Sequence, residues 1–123
     1  MTSAMHLVQQ AKKKVRCIEL AEAKALIKAG NIALLDVREK VENDAGHIEG
    51  SEHISRGVLE MRIDNNPVFK DKGAAILVYC KSGGRSALAA ATLQDMGYSN
   101  IYSLEGGFDA WSKSQDIPEG IVD

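Results

Sequence analysis

Cys80 stands between an apolar run and a glycine-rich turn in ILVYCKSGGRS, residues 76–86, where Lys81 and Arg85 flank Ser82-Gly83-Gly84. A cysteine used only for packing does not require two cations, two serines and two adjacent glycines around it. A thiol attacks as its thiolate, so a reactive cysteine needs positive potential close to its sulfur. This segment offers three sources. The helix predicted to start after Gly84 presents unpaired backbone N–H groups and the positive end of a dipole. Gly83 and Gly84 carry no Cβ, so successive amides can turn inward as an anion-binding nest. Lys81 and Arg85 add full charges at the rim. The chemistry that fits is nucleophilic attack by Cys80, with Lys81, Ser82, Gly83, Gly84, Arg85 and Ser86 holding an anion: a persulfide, an oxyanion such as thiosulfate, or a phosphoryl group. Ser86 has a structural alternative, capping the helix that leaves the loop.

Other residues are less pointed. Asp36 and Arg38 end the apolar run Ile32–Val37, on the same side of the sheet as Cys80. Arg38 can add to the positive field there, but a pair that ties loops together by hydrogen bonds is the preferred reading. Arg56 is read as a rim contact or, preferably, a solvated or bridging arginine. No general base is needed beside a nest-stabilised thiolate, so His47 is expected to be buried and bonded to backbone or Asp36. His6 and His53 make no metal-ligand spacing with Cys17 or Cys80, so no metal site is expected. Cys17, on the first strand, is expected to be an inert, partly buried thiol, with a resolving thiol as the alternative. Phe108 and Trp111 are read as core.

The elements that must position these groups alternate in type. ELAEAKALIKAG has Leu20, Ala23, Leu26 and Ile27 at helical spacing and stops at Gly30, a C-cap residue. Ile32–Val37 is an apolar run of the kind found in strands buried on both faces. VENDAGH predicts a helical turn, SEHIS a weak strand, GVLEMRI a short helix and DNNPVFKDKG a loop. Ala74–Tyr79 is the clearest strand; RSALAAATLQDMG follows as a helix closed by Gly97, Asn100–Leu104 as a strand, and GGFDAWSKSQ as a last helix. Strands alternating with helices argue for a parallel α/β sheet, in which ligands sit beyond the carboxyl ends of the strands. Cys80 lies at such an end.

Composition bounds the rest. The chain of 123 residues is one domain by length, with 1–14 as a flexible N-terminal leader and the folded domain over 15–123. Fifteen basic and seventeen acidic side chains leave a net charge of −2, which argues against a nucleic-acid partner. No apolar run reaches the length of a membrane span, and the first residues lack a secretory pattern, so a cytoplasmic location is expected. The run Lys12-Lys13-Lys14 is too short for a basic tail and is read as solvated.

Spacing separates two chemistries of the cysteine loop. Protein tyrosine phosphatases place one more residue between cysteine and arginine than the four found between Cys80 and Arg85. The shorter ring suits a sulfane sulfur carried on the cysteine itself. Here the chain resembles a single-domain rhodanese, a sulfurtransferase. LLDVRE, residues 34–39, resembles that family's Asp-x-Arg block; GHIEGSEHISRG, residues 46–57, its Gly-His-Ile-x-Gly stretch; and VYCKSGGRS with LQDMGYSNIYSLEGGFDAW its active-site loop and Gly-Gly-x-x-x-Trp ending. The resemblance implies a rhodanese-like fold, a parallel sheet of about five strands with helices on both faces. It also implies that Cys80 takes a sulfane sulfur from a donor (a small anion such as thiosulfate, or a protein persulfide) and passes it to cyanide or a thiol acceptor. Loop amides from Ser82 to Ser86 would hold the persulfide, and Arg85 and Lys81 the donor's oxyanion, in a monomer or homodimer without cofactor. The alternatives are a sulfur-relay or binding module of the same fold, and an arsenate reductase or phosphatase. Asn43 stands where the family has an aromatic residue, Ser51 where alanine is usual, Glu49 and Ser55 in place of prolines, and Lys81 in place of an arginine.

Overall fold

The computed structural model describes residues 3–115; the end of the predicted domain, 116–123, lies outside them. Five parallel strands form one sheet in the order β1-β5-β4-β2-β3: β1 Arg16–Ile18, β2 Ala33–Asp36, β3 Glu52–His53, β4 Ile76–Tyr79 and β5 Ile101–Leu104. Parallel neighbours need crossovers, and helices supply them. These are α2 Leu20–Ala29, α3 Lys40–Ala45, α4 Leu59–Ile63, α5 Gly84–Asp95 and α6 Gly107–Gln115, preceded by α1 Ala4–Lys14.

The central strand β4 is buried along its whole length because both faces are covered. Leu35, Val37, Ile76, Val78 and Cys80 face a layer that includes Ala89, Ala90 and Leu93 of α5 and Leu59 and Ile63 of α4. Leu34, Leu77, Tyr79 and Leu104 face the other layer, where α2 contributes Ala23 and α6 contributes Phe108 and Trp111. The small side chains Ala87, Ala89 and Ala90, all fully buried, let α5 sit close to the sheet. That closeness fixes where α5 begins, and hence where the cysteine loop ends.

The predicted elements recur with small changes of boundary. α2 stops at Gly30, in the left-handed region at φ +84°, as its sequence dictates. The SEHIS strand shrinks to two residues on the sheet edge, and the 67–69 part of the predicted loop forms a 3₁₀ turn whose first amide is capped by Asn66. The larger difference is at the N-terminus. Where a flexible leader was expected over 1–14, Ala4–Lys14 forms α1, with Ser3 accepting a bond from the His6 amide. Ala11 and the following Val15 are buried, and α1 packs along α5. Lys13 and Lys14 are exposed as expected, while Lys12 turns inward to an ion pair with Glu105.

Candidate active site

β4 delivers Cys80 to the carboxyl edge of the sheet, and α5 starts four residues later. Between them the chain must turn back tightly. Gly83 provides this at φ +118°, a left-handed value that favours glycine, and acts as the N-cap of α5. The result wraps backbone around the sulfur. The Gly83 amide donates to Cys80 Sγ at 3.1 Å and the Ser86 amide at 3.3 Å. The thiol lies 3.5 Å from Ser86 Oγ, which donates to the Gly83 carbonyl and lies 2.9 Å from Ser103 Oγ. Ser86 therefore braces the loop from inside the first helical turn; the N-cap position that the sequence allowed it belongs to Gly83.

Two amides and a helix start converging on one atom form a cradle for negative charge on that sulfur or on an atom bonded to it. Cys80 is 1% exposed. Ser82, by contrast, lies exposed at the rim.

The loop is also clamped from behind. The Phe108 amide donates to the Cys80 carbonyl at 2.7 Å, and the Asp109 amide to the Lys81 carbonyl at 3.0 Å. The first turn of α6 thus serves as an external partner for the loop's backbone. Gly107, at φ +55°, makes this possible. A Cβ there would meet the Cys80 oxygen at 2.5 Å and the Lys81 carbonyl at 2.6 Å.

The two cations assigned to the oxyanion of a donor are both engaged elsewhere. Arg85 makes a two-pronged bond to Glu42 of α3, at 2.7 and 2.9 Å. That contact holds the Glu42 carboxyl down at about 2 and raises Arg85 above its ordinary value. The planar guanidinium matches a carboxylate's two oxygens, so a third partner finds little of it free. Lys81 pairs with Asp109 at 3.0 Å, on exposed side chains where such a pair is worth little and opens readily.

Asp36 and Arg38 follow the structural reading, on the opposite face of the sheet from Cys80. Asp36 is fully buried and accepts four bonds from Arg38, two from Nε shared between its oxygens, one from Nη2 and one from the backbone amide, besides one from Asn43. Burial works against charge on Asp36, but the Arg38 and Asn43 bonds outweigh it and hold the carboxyl below its usual range. Arg38 continues to the Gly46 carbonyl at 2.7 Å and lies 4.3 Å over the Phe108 ring. The pair therefore bolts the β2–α3 connection to α6, and through α6 to the clamp on Cys80. Asn43 and Ser51, which depart from the resembled pattern, both bond here: Ser51 Oγ lies 2.9 Å from the Tyr79 hydroxyl.

Arg56 sits away from the loop, bridging Glu60 and Thr92 Oγ1. His47 is exposed rather than buried, because its ring bonds the nearby Asn43 carbonyl at the surface end of α3. Cys17 is half-buried on β1, and burial together with Glu105 pushes its thiol up. Sequence reasoning missed Glu42, Asp109 and Glu105 as neighbours of the loop. Only Glu42 left a trace, as the partner of Glu39 in the capping box that starts α3.

A family model for the rhodanese-like domain matches residues 19–114. The chain belongs to the rhodanese-like family. Among solved structures, this rhodanese-like chain is similar to a protein of unknown function from Rhodopseudomonas palustris CGA009, described as a possible tyrosine phosphatase. The two share 34% identity with a TM-score of 0.86, over 94% of this chain and 92% of that one. A rhodanese-related protein from Thermoplasma volcanium is 31% identical, TM-score 0.70, over 80% and 92%. The polysulfide-sulfur transferase homodimer of Wolinella succinogenes is 28% identical, TM-score 0.72, over 88% and 80%. The rhodanese-like fold expected from the sequence is the one found. Among the described residues, no helix is long and apolar enough to cross a membrane.

Proposed function

We propose that this protein is a sulfurtransferase in which Cys80 carries a sulfane sulfur. The observation that supports this best is the convergence of the Gly83 and Ser86 amides on the sulfur. In the first half-reaction the Cys80 thiolate attacks the outer sulfur of a donor. An S–S bond forms on Cys80 as the donor's own S–S bond breaks, and the donor leaves with that electron pair, as sulfite from thiosulfate or a thiolate from a persulfide. In the second, a thiolate or cyanide attacks the outer sulfur and Cys80 leaves as a thiolate, held again by the two amides. No redox partner is required, since the sulfur moves as a neutral atom between nucleophiles.

A phosphatase reading, suggested by the description of the Rhodopseudomonas protein, asks for different geometry. A phosphoryl group needs amides and a free guanidinium arrayed around a site beyond the sulfur. In this chain the amides close on the sulfur and Arg85 is bound to Glu42. The same pairing favours a persulfide donor over thiosulfate, a dianion that finds the Arg85 guanidinium already bound to Glu42.

The test is the intact mass of the purified protein after exposure to glutathione persulfide, to polysulfide and to thiosulfate, then after cyanide. We expect a gain of one sulfur on Cys80, larger with the persulfide than with thiosulfate, removed by cyanide and absent in Cys80→Ser. Hydrolysis of a phosphate monoester by the parent protein, without any sulfur gain, would overturn the proposal.

A further inference from the structure

The matched family region begins at residue 19, yet α1, which precedes it, touches the cysteine loop. Val8 of α1 lies against Gly84, 3.7 Å from where a Cβ would stand. One turn further along α1, Lys12 Nζ makes a 2.6 Å ion pair with Glu105, which follows β5. Glu105 in turn lies 3.4 Å from the corresponding Cβ position at Gly83, the residue whose amide bonds the Cys80 sulfur. These short links put the Glu105 carboxylate within roughly 9 Å of that sulfur. A shallow cavity of about 350 Å³ opens beside this turn, and its lining includes two carboxylates, Glu19 and Glu105. Negative charge thus lies close to the loop, and Lys12 is paired with the nearer of the two carboxylates.

We propose that the Lys12–Glu105 pair is a specificity-determining part of the Cys80 site, setting how much negative charge an incoming sulfur donor can carry. The inference rests on the reading of Cys80 as a sulfur acceptor and names a charge pair that sets the potential around it. Glu105 repels anionic donors; Lys12, delivered by α1, moderates that repulsion so that a donor with one negative charge on its sulfur is admitted more readily than a dianion such as thiosulfate. The loop's own two cations are already matched, Arg85 by Glu42 and Lys81 by Asp109, while Glu39 also acts on Arg85 and Glu19 adds a second carboxylate beside Glu105. Arg38 and Asp36 neutralise one another across the sheet, Arg56 pairs with Glu60, and Cys17, also near Lys12 and Glu105, is half-buried. Lys12 and Glu105 are joined by one contact between partly exposed side chains, so either is removable without stripping a buried bond.

The experiment compares alkylation of Cys80 by iodoacetate, an anion, and by iodoacetamide, a neutral reagent of nearly the same size. Peptide-resolved mass spectrometry separates Cys80 from Cys17. The ratio of the two rates reads the potential at the sulfur and cancels changes in access or thiolate content. Lys12→Gln should lower the ratio about two- to fivefold and Glu105→Gln should raise it by a similar factor, both effects shrinking at high salt. A purely structural strap would make the two variants alike, since both break the same bridge. Ratios that move together, or do not move, overturn the proposal. Because alkylation needs no sulfur donor, opposite shifts in a protein that fails to load sulfur would support the role of the charge pair while sinking the sulfurtransferase reading.

Discussion

Gly107→Ala should damage this protein far more than the loss of one glycine suggests. At φ +55° an alanine carries a left-handed penalty of about 1 kcal/mol. The added Cβ would also meet backbone atoms at 2.5 and 2.6 Å, and backbone cannot rotate aside as a side chain can. Relief requires α6 to back away from the loop, which stretches the Phe108 and Asp109 bonds to the Cys80 and Lys81 carbonyls. Each such bond contributes about 1 kcal/mol, and an orphaned buried carbonyl costs about 1–3 kcal/mol. The sum is about 3–5 kcal/mol, a large share of the roughly 5–15 kcal/mol that holds a domain together. Gly30→Ala is the control: its φ is +84° but nothing lies within 4 Å of its Cβ position, so only about 1 kcal/mol is expected. Urea denaturation should place the two midpoints about 1–2 M apart for a typical slope. At low denaturant, Gly107→Ala should also load sulfur poorly while Gly30→Ala loads normally. Equal destabilisation by the two substitutions would refute the idea that close approach, rather than backbone conformation, demands Gly107.

Acid should weaken the Glu42–Arg85 contact. The Glu42 carboxyl titrates at about 2 in the fold against 4.5 for a free side chain, so its stabilisation is complete above the free value and is lost as pH falls from there toward 2. Because the pair is partly exposed, the loss is about 1 kcal/mol, and Glu42→Gln should flatten that part of a stability-against-pH curve; an unchanged slope would contradict the pairing. Asp36→Asn leaves the buried Arg38 guanidinium without its counter-charge and should cost about 3–5 kcal/mol by denaturant melt. A loss under 1 kcal/mol would show the pair to be well solvated.

The parts of this molecule legible in its sequence are those written in local patterns. Apolar runs announced β2, β4 and β5, Gly30 announced the end of α2, and the glycines and cations after Cys80 announced a nucleophile's loop. What stayed hidden depends on partners distant in sequence. Arg85 and Lys81 read as free cations because nothing nearby predicts that Glu42 and Asp109 will reach them. Asn43 read only as a departure from an aromatic residue because its bond to Asp36 exists only once α3 folds back over β2. Lys12 read as one of three solvated lysines, since its partner follows β5, 93 residues further along the chain. A motif specifies which atoms are present at a site; their free or occupied state is a tertiary property.

The clamp on the Cys80 carbonyl also bears on the order of events during synthesis. Cys80 leaves the ribosome well before Gly107, Phe108 and Asp109, which hold its loop in shape. Until α6 follows, the chain displays a cysteine beside an unfastened turn, open to any passing oxidant or disulfide. A nascent chain stalled before Gly107 therefore has the nucleophile without the pocket, and the last helix converts an indiscriminate thiol into a guarded one.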